Sequence, residues 1–276
     1  MTPLAVPVAA DHHLQVNGQR LHVLRLGSGA SGRPKVVMIH GLVVDNLSSF
    51  YFTIANAVAV HADVYLYDLR GHGLSSIPQR SYHLGDHIAD LLGLLEAWEI
   101  DEPVHLVGSS YGGLIALETA RLRPELVASM LLLEAHFPVE GWATQMAGTV
   151  SLATYGLDDD STRKWLADNG MDGTVGRKLK RMAARANLLA RSTSIIEDLQ
   201  AEQPFPLAAL TAMSCPVTAV YGERSDIVER GHDLERLLPD ARLHLVAGAE
   251  HRLLQDVPAQ VRDIAVEWVT AAALGG

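Results

Sequence analysis

The sequence predicts an α/β fold: a mostly parallel central sheet, helices on both faces and one helical insertion. Three observations predict it. Short, nearly all-apolar runs recur along the chain, helix-period segments alternate with them, and the stretch 136–206 breaks the alternation. Strands that are apolar on every position are buried on both faces, which is the environment of a parallel sheet covered by helices.

The elements follow in order. Leu21–Leu26 alternates and comes after Asn17-Gly18, a pair that favours a tight hairpin turn, so the chain is expected to open with a hairpin. Val36–Ile39, Val64–Tyr67, Val104–Val107, Leu131–Leu133, Val217–Tyr221 and Leu243–Val246 are the buried strands. Helical patterns between them are predicted near Ser48–Val60, Asp86–Trp98, Tyr111–Leu122, Val228–Leu238 and Pro258–Ala272. Alternation of this kind argues a doubly wound sheet. Within 136–206 only helix-like segments occur, with Trp142 and Trp165 among them. The expected division is therefore a core of residues 1–135 and 207–276, with residues 136–206 lying over one end of the sheet.

Composition narrows the function. A chain of 276 residues with 20% charged side chains can form one large domain with an ordinary core. Its formal net charge of −10 disfavours a general nucleic-acid binder. A single cysteine, Cys215, rules out an intramolecular disulfide and a cysteine-based zinc site. Met1–Asp11 has no Lys or Arg ahead of its short apolar run and does not read as a secretory signal. No apolar run has the length of a membrane span, so a cytoplasmic protein with no membrane partner is expected.

Gly108-Ser109-Ser110-Tyr111-Gly112-Gly113 follows one buried strand and opens a helix. This is G-x-S-x-G in the strand–turn–helix context of a nucleophile elbow. Side chains at the flanking positions would clash in so tight a turn, and the glycines remove them. The Ser110 hydroxyl is then expected at a helix N-terminus, where backbone N–H groups favour negative charge. A phosphate loop is the other reading of such a segment, but no GxxxxGK[ST] is present.

At this point the chain resembles the α/β-hydrolase superfamily, specifically its serine hydrolases with a helical cap. Besides the elbow, the resemblance rests on His40-Gly41 after the third strand and on Asp68-Leu69-Arg70-Gly71-His72-Gly73-Leu74-Ser75 after the next. It spans Leu21 to Trp268. It implies the α/β-hydrolase fold with 136–206 as the cap, and a Ser…Asp…His order of catalytic residues. Gly248-Ala249-Glu250-His251 occupies the family's place for the base, which makes His251 the expected base. Asp226, in Gly222-Glu223-Arg224-Ser225-Asp226, matches the family's acid, with neighbouring Glu223 read as a loop charge. Glu134, at the end of Leu131–Leu133, stands where some relatives keep the acid. The oxyanion donors are expected to be the backbone N–H groups of Tyr111 and, by resemblance, Leu42. His40 and His72 are expected to hold loop shape rather than move protons.

Serine at position 110 argues against dehalogenase and epoxide hydrolase chemistry, which would need an aspartate there. No cofactor is implied, and His83, Asp86 and His87 are read as a loop and helix start rather than metal ligands. Gly173–Arg191 holds Arg177, Lys178, Lys180, Arg181, Arg185 and Arg191 without an acidic residue. Its plain reading is a solvated amphipathic helix with Leu179, Met182, Ala186 and Leu189 inward. Its sharper reading is an anion-recruiting face for a substrate carboxylate, coenzyme A or an acyl-carrier protein. The expected activity is hydrolysis of a carboxylic ester or lactone, a small-molecule acyl substrate, through an acyl-enzyme on Ser110. Thioester hydrolysis or acyl transfer is the alternative. C–C bond hydrolysis and a non-catalytic receptor rank lower. Trp142 and Trp165 are expected to contribute to an apolar acyl pocket.

Overall fold

The all-apolar runs do become strands, and those of the sheet's middle are buried on both faces. Leu243–Val246 instead forms an edge strand in which only Val246 is buried and Leu245 is exposed, because no further strand or helix covers that edge fully. The computed structural model describes residues 10–43, 45–155, 184–204 and 207–274. In it, β1 (Ala10–Val16), β2 (Gln19–Leu26), β3 (Lys35–Ile39), β4 (Asp63–Tyr67), β5 (Val104–Ser109), β6 (Val127–Leu133), β7 (Val217–Gly222) and β8 (Ala241–Val246) form one sheet. The strand order is β1-β2-β4-β3-β5-β6-β7-β8. β1 and β2 are the expected hairpin around Asn17-Gly18, and β2 runs antiparallel to β4. Every other pairing is parallel. Ser129 interrupts the apolar pattern, which is why β6 begins earlier than its all-apolar tail suggests.

Alternate residues of each strand feed two separate cores. Val37, Ile39, Leu106, Leu132 and Tyr221 face one side. Val36, Met38, Val107, Leu131 and Val220 face the other. The first side is covered by α1 (Leu84–Ala97), α2 (Tyr111–Leu122) and the later helix Val228–Leu237. The second is covered by the helical stretch from Ser48 to Val58, whose middle, Tyr51–Ala55, is wound as a π-helix, and by Pro258–Leu274. Each fully buried Leu, Ile or Val contributes roughly 1.5–3 kcal/mol. α1 starts at Leu84, two residues ahead of the sequence expectation, because His83 and Asp86 form a reciprocal capping box. Between β6 and β7 the described residues are helical or irregular: α3 (Trp142–Tyr155), residues 184–192 and α4 (Ile195–Ala201). Among the described residues no helix is long and apolar enough to cross a membrane.

β3, β5, β6 and β7 run parallel, so the loops that follow all four leave the sheet at the same end, the usual ligand position in an open parallel sheet.

Candidate active site

Ser110 follows β5 and precedes α2 with φ 53° and ψ −116°. A non-glycine residue there is strained by order 1–3 kcal/mol. The surroundings over-determine it. Gly112 packs so closely on the end of β3 that a Cβ there would lie 2.0 Å from the Ile39 carbonyl oxygen. The Ser110 N–H donates to the Leu133 carbonyl at 2.9 Å, and the Ser110 carbonyl accepts from Gly113 and His136. The hydroxyl is thereby held above the sheet.

His251 lies in the loop after β8, with Nε2 3.3 Å from Ser110 Oγ. Its Nδ1 is 3.2 Å from Glu134 Oε2. The structure thus brings Ser110, His251 and Glu134 together, and it does not bring Asp226 to them. Asp226 is exposed and makes no hydrogen bond or ion pair among the described residues. The reason is the tight turn after β7. The Ser225 N–H bonds back to the Gly222 carbonyl at 3.0 Å, and the Ile227 N–H donates to Ser225 Oγ at 3.3 Å. Ser225 is turned inward and its neighbour outward.

Glu134 is the next residue after β6, has φ 51°, and its side chain is 2% exposed. Its carboxylate is fully engaged. Oε1 accepts from the Gly222 N–H and Oε2 from the Ser225 hydroxyl, each at 2.5 Å. A buried carboxylate needs such donors, since an unpaired one costs several kcal/mol. A carboxylate can only accept here, so His251 Nδ1 carries the proton and Nε2 presents its lone pair to the serine. Glu223 stays at the surface, where it accepts from the Gly248 N–H at 2.9 Å and shapes the loop that carries His251.

The loop after β3 abuts the nucleophile: a Cβ on Gly41 would sit 3.3 Å from Ser110 Cβ. Leu42 follows directly. Its N–H donates to no protein acceptor among the described residues, and the Tyr111 N–H is the first of a helix, without an intrahelical partner. Val43, at φ 67°, donates its N–H to His72 Nε2 at 2.8 Å. His72 Nδ1 donates to the Arg70 carbonyl at 2.9 Å, and burial pushes its pKa down to about 3. His40 does the same from the other side, donating to the Gly41 carbonyl at 2.7 Å and accepting from the Leu69 N–H at 3.0 Å. Both histidines therefore shape loops, as expected of them.

Sequence reasoning passed over His136. Its ring lies 5.5 Å from that of His251, and its Nδ1 accepts from the Trp142 indole at 3.4 Å. Burial, then the charges of His251 and Arg230, push its pKa down to about 3. The two-residue step from Glu134 was the only hint of it. Trp142 is 3% exposed and lies nearly parallel to the Tyr111 ring, 6.4 Å away, so it packs beside the elbow. Trp165, Arg177, Lys178, Lys180 and Arg181 lie outside the described residues. Arg185 does not simply point to water: it is half-buried and donates to the carbonyls of Gly71, His72 and Ser75. Ala186 and Leu189 face inward as expected. His83 and Asp86 cap α1, while His87 is buried between Tyr82 and Tyr111. Among the described residues no three His, Cys, Asp or Glu side chains gather as a metal site would require.

Known proteins match this arrangement over most of its length. The chain is 30% identical over 242 residues to a pimeloyl-[acyl-carrier protein] methyl ester esterase of Chromobacterium violaceum, covering 84% of this chain and 91% of that one. It is 24% identical over 265 residues to a 2-(acetamidomethylene)succinate hydrolase of Mesorhizobium japonicum, covering 90% and 92%. Among solved structures, the naproxen esterase of Bacillus subtilis superposes with a TM-score of 0.73 at 20% identity, covering 95% of this chain and 92% of that one. That likeness speaks for the fold. The sequence profile described as the alpha/beta hydrolase family matches residues 36–264, from β3 into the last helix, and the chain belongs to that family.

Proposed function

We propose that the protein is a serine hydrolase that cleaves a carboxylic ester or lactone through an acyl-enzyme on Ser110. The observation that carries this reading is the continuous hydrogen-bonded line Glu134–His251–Ser110. The 3.3 Å between Ser110 Oγ and His251 Nε2 is that of a nucleophile and base before substrate binds, and the 3.2 Å between His251 Nδ1 and Glu134 is that of a base and its orienting group. Ser110 Oγ attacks the acyl carbon as its proton passes to His251 Nε2. Glu134 orients the imidazole and stabilises its charged form. The Leu42 and Tyr111 amides hold the oxyanion. The tetrahedral intermediate expels the alcohol, which takes the proton from Nε2. A water, deprotonated by the same nitrogen, then releases the acid and regenerates Ser110. The relatives named as methyl ester esterases support an oxyester over a thioester. The segment 136–206 is read as the cap over the active site.

The test uses matched oxyesters and coenzyme A thioesters of the same acyl groups, with wild type beside Ser110→Ala. A fluorophosphonate should label the wild type at Ser110, shown by peptide mass, and leave the variant untouched. Turnover that survives in Ser110→Ala would overturn the nucleophile. Turnover that depends on Ser110 but prefers thioesters would move the assignment to thioesterase.

A further inference from the structure

We propose that Arg185 is a positioning residue that couples the segment between β6 and β7 to the oxyanion loop, an inference that rests on the hydrolase reading above. Arg185 lies in the helical stretch 184–192. Its Nε donates to the Gly71 carbonyl at 3.1 Å, and one terminal nitrogen donates to the carbonyls of His72, at 3.2 Å, and Ser75. One guanidinium thus fixes three carbonyls of a single turn, with donors that only its planar fork provides. Leu189, one helical turn on, presses on the same turn: a Cβ on Gly71 would lie 2.6 Å from Leu189 Cδ1.

The turn passes this constraint on through one imidazole. His72 uses both ring nitrogens, Nδ1–H to the Arg70 carbonyl and Nε2 from the Val43 N–H. The bond to Val43 matters because Val43 is β-branched at φ 67°, a conformation that persists only where neighbours hold it. Val43 adjoins Leu42, whose amide faces no protein acceptor, and Gly41, which touches Ser110. The series Arg185, turn 71–75, His72, Val43, Leu42 therefore runs from the segment between β6 and β7 to a predicted oxyanion donor. Preorganised donors accelerate acyl transfer because they need not reorganise as charge develops. Loosening Arg185 should thus act on the transition state more than on substrate binding.

Two measurements test this. The first is hydrogen exchange of the Val43 amide, which does not depend on any reaction. In wild type it should be protected, and in Arg185→Ala and Arg185→Lys it should exchange at least tenfold faster, with amides of β5 and β6 unchanged. The second is kinetics on the preferred ester. Arg185→Ala should lose about 10- to 100-fold in kcat with KM within threefold. Added guanidinium ion should restore part of the kcat of Arg185→Ala, and the affinity of a boronic acid that adds to Ser110 should fall in proportion to kcat/KM. Unchanged Val43 exchange in both variants would overturn the coupling. Faster exchange with kcat within twofold, or a loss confined to KM, would overturn the catalytic role. If fluorophosphonate fails to label wild-type Ser110, the hydrolase reading fails instead, and the exchange measurement still decides the coupling.

Discussion

Replacing Glu134 by glutamine keeps the shape of the side chain and reverses one hydrogen bond. The Gly222 N–H can only donate, so the amide oxygen must take the place of Oε1. The NH2 group then occupies the place of Oε2, facing Ser225 and His251 Nδ1. The Ser225 hydroxyl can rotate to accept. The imidazole responds by giving up its Nδ1 proton and carrying it on Nε2. A protonated Nε2 cannot take the proton of Ser110, whatever the distance between them. Loss of the correct tautomer in this way costs about 10³–10⁴ in kcat, which is roughly 4–5.5 kcal/mol in the barrier. Asp226→Asn is the control. Its carboxylate is exposed and makes no bond to His251, so kcat should stay within about twofold. Both variants would be compared on one 4-nitrophenyl ester under saturating conditions, with fluorophosphonate labelling rates as a second readout and circular dichroism to check folding. Full activity in Glu134→Gln together with collapse in Asp226→Asn would refute the reasoning and return the acid to the loop after β7.

Other consequences are separable. Gly112→Ala should destabilise the fold by about 3 kcal/mol, read as a lower urea midpoint, because its methyl meets the Ile39 carbonyl at 2.0 Å and backbone must move. Asp90→Ala should cost about 3–5 kcal/mol, since Arg70 is 3% exposed and its bidentate bonds to Asp90, both 2.7 Å, are lost; Arg70→Met with Asp90→Leu should cost less. Stability should fall between pH 7.5 and pH 5. The His72 pKa is near 3 when folded and about 6.5 when unfolded, so the unfolded chain binds the proton first. The stabilisation is complete above 6.5 and shrinks as pH falls, by about 2 kcal/mol at pH 5. Urea midpoints at both pH values should show His72→Gln losing that share of the dependence. His22 works in the opposite direction. Burial disfavours its charge, but the bonds to Asp68 and Asp11 prevail and its pKa is raised, so its contribution is lost as pH rises.

What could be read in advance divides along a physical line. The strands were legible because residues such as Val36 to Ile39 face helices on both sides, which leaves no position for a polar side chain. Ser110 was legible because it sits in a turn whose steric demands fall on its own neighbours in sequence, and His251 because its place after the last strand matches the family pattern. The acid was different. Glu134 directly follows β6 and Asp226 lies four residues after β7, both at the same end of the sheet, and local pattern does not say which side chain reaches the imidazole. The deciding facts are non-local. Gly222 and Ser225 on one strand end supply the donors that a carboxylate from the neighbouring strand end requires. The sequence did hold a hint, a charged residue placed directly after a buried apolar strand, where it could not stay unpaired. Arg185 was opaque for the same reason. A cation in an amphipathic helix usually points to water, and only the positions of three carbonyls more than 100 residues earlier in the chain turn it into a clamp. Motifs therefore reveal groups whose constraints are local, whereas the residues that orient those groups become visible only when distant strand ends and helices are brought together.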